Sequence, residues 1–253
     1  MMKQILAVLG SAAVATTGVG AATATPAPPT TRVVVIPGQT VGTMPFGPMK
    51  QNLESRGYPT TLLNLPGENL RAEAAVVART VDGIRRQHPG DKIALVTESI
   101  GGITGRVYLK EMGGTSKVAT YIAIGTAQYG SPVSCAQPIA RENCPGSPFL
   151  KKLNAGDDTP GPTKYFSIRS AREWSDGRLD GGQCRVTPIP ANESLPVTGM
   201  EHTFEPFDAR VWNAIVSSLR GHCAGKFVTD PDGVLTAGKS TMPGAPGYHP
   251  GMR

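Results

Sequence analysis

The sequence predicts an α/β fold in which helices cover both faces of a mostly parallel central sheet. Continuous apolar runs, such as Val33 to Ile36 and Ile93 to Val96, are typical of strands that are buried on both faces. The segment between these runs carries one apolar stripe at helical spacing, formed by Leu70, Ala74, Val77, Val81 and Ile84. Strands that alternate with amphipathic helices favour parallel pairing with helices on both sides.

The same alternation continues along the chain. We expect helices over residues 48–56, 68–87, 99–112 and 209–219. The expected strands cover residues 32–36, 60–65, 93–96, 118–124, 165–168 and 195–198. Residues 125–163 are dominated by Gly, Pro, Ser and Cys, so we expect a long surface excursion there. Ligands of such sheets bind beyond the carboxyl ends of the strands, which places the functional residues directly after the strands.

Length and charge limit the possible organisation. The 253 residues, 39% of them hydrophobic, are enough for one substantial core, which we place in a domain over residues 32–223. Residues 224–253 are expected to form a loosely structured tail. The net charge is +6, but the basic residues are scattered rather than clustered in a stripe. We therefore expect no nucleic-acid partner. We also expect the protein to be a monomer.

The first 24 residues are typical of a secretory signal peptide. Lys3 gives a positive start, an apolar segment follows to Val19, and Ala22-Thr23-Ala24 offers the small residues of a cleavage site. The segment is short and weakly hydrophobic for a membrane-spanning helix, which is the alternative. Residues 25–31 are expected to form a Pro- and Thr-rich leader. The sequence thus predicts a secreted protein without a transmembrane segment.

The chain contains four cysteines, an even number that suggests two disulfides in an exported protein. Of the three possible pairings we favour Cys135–Cys144, which closes a short loop, together with Cys184–Cys223. We expect no metal site, because no Cys-x-x-Cys or paired-His spacing accompanies these cysteines.

Ser99 lies in a segment typical of a nucleophile elbow. Residues 96–102 join a buried strand to a helix, and Gly101 and Gly102 allow the backbone to turn tightly after the serine. The usual pattern is Gly-x-Ser-x-Gly, and Thr97 occupies its first glycine position. The alternative is that Ser99 is an ordinary helix N-cap.

A serine nucleophile needs a base, and the base needs an acid that orients it. His202 is the best candidate for the base, because it comes late in the chain and follows an expected strand. The other histidines fit less well: His88 precedes Ser99, His222 follows the last helix and His249 lies in the tail. The alternative is that His202 has only a structural role.

Two acids follow the expected strand over residues 165–168. Glu173 is closer to the end of the strand, whereas Asp176 is followed by a glycine and equally suggests a turn. We take Glu173 as the acid and Asp176 as the reserve, although either could be a solvated surface carboxylate.

Several segments together resemble the exported bacterial lipases and esterases of the lipase class 2 type, particularly the actinobacterial ones, over roughly residues 32–219. These segments are 33–38, 99–102, 105–108, 113–114, 144–150, 153–154, 159–161, 165–170 and 202–211. The resemblance implies an α/β-hydrolase fold, Ser99 as nucleophile and His202 as base. It also implies Glu173 at the position of the family's Asp. The implied oxyanion donors are the backbone N–H groups of Gln39 and Ile100.

Three positions depart from the family pattern. Pro37 replaces a His, Thr97-Glu98 replaces Gly-His before the serine, and Glu173 replaces an Asp. The resulting hypothesis is a secreted serine carboxylic-ester hydrolase that acts on a small-molecule or lipid ester without a cofactor. Two alternatives remain: a silent relative that binds lipid or polymer, and an acyltransferase that uses the same serine.

Overall fold

The computed structural model describes residues 29–39, 42–138, 140–191 and 199–243. Seven strands in these residues form one sheet in the order β2-β1-β3-β4-β5-β6-β7. They are β1 (Thr31–Ile36), β2 (Thr60–Leu62), β3 (Lys92–Glu98), β4 (Thr120–Ile124), β5 (Lys164–Ser170), β6 (Gly181–Ile189) and β7 (Lys226–Asp230). Strands β1 to β6 pair in parallel and β7 pairs antiparallel with β6, so the prediction of a mostly parallel sheet is confirmed.

Helices cover both faces of this sheet, as the sequence predicts. They are α1 (Gly47–Ser55), α2 (Leu70–Gln87), α3 (Gly101–Glu111), α4 (Pro148–Leu153), α5 (Ala209–Leu219) and α6 (Ala237–Ser240). Alternate strand residues point to opposite faces. Val34 and Ile36 therefore share a core with α2, α3 and α4. Val33 and Val35 pack in a second core with α1 and α5.

Helix α2 follows directly from its sequence pattern. The Asn69 side chain accepts a hydrogen bond from the backbone N–H of Ala72 and so caps the first turn. The predicted stripe faces the core, with Leu70, Ala74, Val77 and Val81 fully buried and Ile84 partly buried. Burial of each Leu or Val contributes about 1.5–3 kcal/mol, so this stripe supplies most of the stability of α2.

The segment after residue 224 differs from the loose tail that we expected. Strand β7 extends the sheet at the outer edge of β6, and α6 follows it. Asp180 fixes the turn between them, because its carboxylate accepts hydrogen bonds from the N–H groups of Gly233 and Leu235. Pairing with β7 gives the backbone groups at this edge of β6 their partners, and the two hydrogen bonds to Asp180 hold the turn after β7 in place.

Residues 125–163 combine short helical turns with loops. They contain α4 and two 3-10 turns, Pro132–Ala136 and Arg141–Asn143. The four cysteines form the two disulfides that the sequence predicts. Cys135–Cys144 closes a loop in this region, and Cys184–Cys223 joins β6 to the segment that follows α5. The expected strand over 195–198, the signal peptide and most of the leader lie outside the described residues. Among the described residues, no helix is long and apolar enough to cross a membrane.

Candidate active site

Ser99 occupies a tight turn between β3 and α3. Its φ of +50° lies in the left-handed region, which is strained for a residue with a side chain and is found at functional sites. The turn is anchored to β4, because Ser99 N–H donates to the carbonyl oxygen of Ile124 at 2.8 Å. The next turn requires glycine, because a Cβ on Gly101 would lie 2.4 Å from the carbonyl oxygen of Pro37. The backbone therefore holds Ser99 at the carboxyl ends of the strands.

His202 lies within hydrogen-bond distance of both Ser99 and Glu173. The residue belongs to a 3-10 segment, Met200–Phe207, that follows Gly199. Its Nε2 is 3.1 Å from Ser99 Oγ, and its Nδ1 is 3.0 Å from Glu173 Oε2. An imidazole that carries its proton on Nδ1 makes both bonds, accepting from the serine and donating to the carboxylate. The structure thus brings together the three residues selected from the sequence.

Glu173 is held in place by the chain around it. It lies in the loop after β5, three residues beyond Ser170, where its Oε1 accepts a hydrogen bond from Trp174 N–H at 2.6 Å. The Trp174 ring stacks on the His202 ring, with 5.0 Å between centroids and 28° between planes. One short segment therefore orients the imidazole both at its edge and at its face.

Asp176, the reserve acid, has other partners. Its carboxylate accepts hydrogen bonds from Nε and the backbone N–H of Arg178, at 2.8 and 2.9 Å. A second cation, Arg185, lies 3.9 Å away. The short Asp176–Arg178 contact is typical of a turn that a local ion pair reinforces.

Two further carboxyl groups, those of Glu205 and Glu98, contact the imidazole. The sequence analysis assigns no role to Glu205. Glu205 Oε2 lies 3.6 Å from His202 Nδ1, and Glu98 Oε1 lies 3.4 Å from His202 Nε2. The available signal for Glu205 was its spacing of three residues from His202, which places both side chains on one side of a helical turn. The sequence marks Glu98 as different from the lipase pattern that the chain resembles, but it does not indicate where the carboxyl group points.

This excess of negative charge changes the proton affinities in the site. Burial alone would lower the pKa of His202. The charge of Glu173 and its hydrogen bond to the imidazole, the close contact with Glu205 and the charge of Glu98 together raise that pKa well above its usual value. Burial, followed by the charge of Glu173, raises the pKa of Glu205 to about 8. Burial also raises the pKa of Glu98. The groups of this cluster therefore exchange protons as a coupled set.

A cavity of about 420 Å³ opens beside Ser99. Most of its walls are apolar, and Gln39 and Ile100, the expected oxyanion residues, both line it. The loop closed by the Cys135–Cys144 disulfide contributes Gln137 and Asn143 to one wall. The other lining residues include Pro45, Ile103, Ala127, Val133, Trp174, Pro206 and Phe207. This volume lies within the usual range for small-molecule sites.

The two carboxylates at Nδ1 also raise the question of a metal ion. Ligand atoms of Glu173, His202 and Glu205 all lie within 4.8 Å of one another, and all three residues are buried. The contact between Glu173 and His202 and the contact between His202 and Ser99 already account for the positions of these side chains. That the protein needs no metal stays a prediction.

Comparison with known proteins supports the fold. No protein-family profile and no curated protein matches the chain. Among solved structures, the mature lipase BlEst2 of Bacillus licheniformis aligns with a TM-score of 0.50 and 22% identity, over 59% of this chain and 69% of the lipase. Its propeptide form is longer, so the aligned region spans only 38% of it.

Other similar structures are also lipases, esterases or cutinase-like proteins from bacteria and fungi. Aspergillus fumigatus lipase B aligns over 56% of this chain and 38% of its own, with 17% identity and a TM-score of 0.49. A cutinase-like protein from Cryptococcus sp. aligns over 79% and 97%, with 14% identity and a TM-score of 0.47. The sheet and its helices, together with the similarity to BlEst2, show that the chain has the α/β-hydrolase fold.

Proposed function

We propose that the protein is a secreted serine hydrolase that cleaves carboxylic esters, of the lipase or esterase kind. The observation that carries the proposal is the series of contacts from Ser99 Oγ through His202 to Glu173, at 3.1 and 3.0 Å. Serine, imidazole and carboxylate in this order activate a hydroxyl for attack on a carbonyl carbon. The strained φ of Ser99 between β3 and α3 agrees with a nucleophile elbow.

In this proposal His202 moves the protons of both half-reactions. Its Nε2 takes the hydroxyl proton while Ser99 Oγ bonds to the ester carbon and the carbonyl electrons move onto the oxygen. The N–H groups of Gln39 and Ile100 donate to that oxygen, and Glu173 orients the imidazole. Nε2 then gives the proton to the departing alcohol, which leaves an acyl group on Ser99. Water repeats the attack and releases the acid.

The environment of His202 sets the pH range of the proposed reaction. Only the neutral imidazole accepts a proton, so kcat/KM rises as the pH passes the pKa of His202. The surrounding carboxylates raise this pKa well above its usual value, although burial opposes them. We therefore expect half-maximal kcat/KM at a pH above the ordinary imidazole value of about 6.5.

The cavity supports esters with an apolar acyl group. Pro45, Val133 and Phe207 line it, and Phe207 is also exposed to solvent. Two neighbouring apolar side chains are exposed as well: Phe204, on the 3-10 segment of Phe207, and Met44, on the 3-10 segment of Pro45. Large exposed apolar side chains around a cavity are typical of sites that meet apolar ligands. The proposed export of the protein is supported by its two disulfides, because disulfides persist in oxidising compartments.

A second candidate is a relative without turnover that binds a lipid or polymer in the same cavity. The observation that favours it is the 3.4 Å contact between Glu98 Oε1 and His202 Nε2. A protonated Nε2 pairs with this carboxylate and no longer accepts the proton of Ser99. An acyltransferase remains a further alternative, because it would use the same acyl-enzyme.

The experiment uses the protein without residues 1–24, treated with a fluorophosphonate and assayed on p-nitrophenyl esters of increasing acyl length. We expect labelling of Ser99, located by peptide mass, together with ester turnover, and loss of both in Ser99→Ala. Ser55→Ala, an exposed serine at the end of α1, is the matched control. Absence of label and turnover up to high pH would support the silent relative, and a new ester formed with an added alcohol would support acyl transfer.

A further inference from the structure

Glu205 is a fully buried carboxyl group that the proposed reaction does not use. It lies one helical turn after His202 in the 3-10 segment Met200–Phe207. Its Oε1 accepts a hydrogen bond from Ser170 N–H at 2.5 Å. Ser170 is the last residue of β5, and the loop that carries Glu173 begins there. Glu205 is therefore fixed at the same strand end that positions Glu173.

The other oxygen of Glu205 points toward the base. Its Oε2 lies 3.6 Å from His202 Nδ1, the nitrogen that Glu173 Oε2 contacts at 3.0 Å. Within the described residues this Oε2 has no hydrogen-bond partner, although it is buried. A buried polar atom without a partner is unusual in a folded protein and points to a functional reason. The gap to Nδ1 is only a few tenths of an ångström longer than a hydrogen bond.

The backbone closes the space around this pair. Gly125 has a φ of +56°, and a Cβ there would lie 2.4 Å from Glu205 Oε2 and 2.6 Å from His202 Nδ1. No residue other than glycine fits at this position without displacing one of the two groups. The enclosed packing therefore keeps the Glu205 carboxyl directed at the imidazole.

Two carboxylates that face one N–H cannot both be satisfied as anions. The groups that face Glu205 are His202 on its own segment and Glu173 from the loop after β5, while Glu98 at the end of β3 contacts the far side of the imidazole. Burial and the charge of Glu173 raise the pKa of Glu205 to about 8. The protonated form of Glu205 is therefore favoured while the Glu173 carboxylate pairs with the imidazole, and loss of the Glu173 charge would lower the pKa of Glu205.

We infer that Glu205 is a second positioning residue for His202, which shares Nδ1 with Glu173 and replaces it as the orienting carboxylate when Glu173 is uncharged. This inference deepens the proposed function and rests on it, because Glu205 acts through the same His202 and Ser99. It makes the orienting acid of this site redundant, whereas a single acid orients the base in the serine-protease arrangement.

The test compares Glu173→Gln, Glu205→Gln and the double variant, with Asp176→Asn as a matched control for loss of a buried carboxyl. Removal of a sole orienting acid costs about 10⁴-fold in kcat. We expect Glu173→Gln to lose only roughly 10²-fold, because Glu205 lies 3.6 Å from Nδ1 instead of 3.0 Å and a misplacement of up to about 1 Å costs on that order. Glu205→Gln should lose less than about tenfold and the double variant about 10⁴-fold, because residues that act as a unit are not additive.

A spectroscopic readout separates this inference from the proposed hydrolase activity. The downfield proton NMR resonance of His202 Nδ1–H should persist in Glu173→Gln, bonded to Glu205, and disappear in the double variant. This signal needs no substrate, so it decides the role of Glu205 even if Ser99 proves unreactive toward the fluorophosphonate. Loss of the resonance in Glu173→Gln alone, or a 10⁴-fold loss of kcat in that variant, would overturn the inference. Both tests of Glu173→Gln remain available if Glu205→Gln fails to fold.

Discussion

Glu98 Oε2 accepts a hydrogen bond from the backbone N–H of Gly38 at 2.8 Å, which ties the residue before Ser99 to the loop that follows β1. The contact is tight, because a Cβ on Gly38 would lie 2.2 Å from this oxygen. The other oxygen, Oε1, lies 3.4 Å from His202 Nε2. Glu98 therefore links His202, the proposed base, to Gly38, which precedes the proposed oxyanion donor Gln39.

Glu98→Gln should move the acid limb of the pH profile to lower pH. Glutamine retains an oxygen that can accept from Gly38 N–H but removes a negative charge near His202. The charge of Glu98 is one of the causes that raise the pKa of His202, so its removal lowers that pKa and the base becomes neutral at lower pH. We expect the acid limb of kcat/KM, measured against pH on a p-nitrophenyl ester, to move to lower pH than in the unchanged protein.

Glu98→Ala is the control for the hydrogen bond between Glu98 and Gly38 N–H. It removes both the charge and the acceptor for Gly38 N–H. We therefore expect a lower plateau of kcat in addition to the shift of the acid limb. An unchanged limb in Glu98→Gln would mean that Glu98 is already protonated throughout the active range. That outcome would agree with the effect of burial on the pKa of Glu98 and would contradict an electrostatic role.

Asp176→Asn should leave ester turnover close to that of the unchanged protein. Its carboxylate bonds to Arg178, and the acid that contacts His202 is Glu173. The loss of one partly buried ion pair is expected to lower the free energy of unfolding by about 1 kcal/mol or less. Steady-state kinetics and urea unfolding measure the two effects separately. A loss of turnover larger than that of Glu173→Gln would transfer the orienting role to Asp176.

The sequence predicts best those elements whose periodicity reflects burial. The helix expected over residues 68–87 is found as Leu70–Gln87, and the strand expected over 93–96 is found as Lys92–Glu98. Strand β6 was missed because its buried positions include a polar residue. Gln183 is almost fully buried, and its side-chain amide donates to the carbonyl oxygen of Leu179. Strand β7 was missed because it is an edge strand with largely exposed side chains.

In the candidate site, too, some residues can be predicted from the sequence and others cannot. Ser99, His202 and Glu173 could be selected because chain order, the elbow pattern and strand ends are readable along the sequence. The contact of Glu98 with Gly38 could not be predicted, because Gly38 lies in a loop 60 residues away in the chain. For Glu205 the sequence offers only its spacing of three residues from His202, and that spacing places the two side chains together only if the segment forms the helical turn that the structure shows.

The two disulfides should differ in what their removal changes. A chain-entropy estimate gives about 4 kcal/mol for the Cys184–Cys223 loop and about 2.5 kcal/mol for the shorter Cys135–Cys144 loop. Replacement of Cys184 and Cys223 by Ala should therefore lower Tm more. Replacement of Cys135 and Cys144 should mainly raise KM, because the loop that they close lines the cavity. Calorimetry and ester kinetics on the two double variants check this, and the reverse ranking in both would contradict it.

Asp158→Asn should be among the most destabilising single changes outside the candidate site. Both partners of the Arg106–Asp158 ion pair are almost fully buried, with 2.5 Å between Nη2 and Oδ1. Lys110 Nζ donates to the same oxygen at 2.7 Å, and the Tyr129 hydroxyl donates to Oδ2 at 2.7 Å. Removal of the anion leaves the buried guanidinium of Arg106 without its compensating charge, which costs about 3–5 kcal/mol.

The matched control is Asp82→Asn, which breaks a half-exposed ion pair with Lys117 and should cost about 1 kcal/mol or less. Urea unfolding of both variants measures the difference in the free energy of unfolding. Tyr129 follows Ala127 and Gln128 in the chain, and Ala127 lines the cavity, so Asp158→Asn should also raise KM when the loop loosens. Equal, small losses in the two variants would show that the buried network around Arg106 is not a major source of stability.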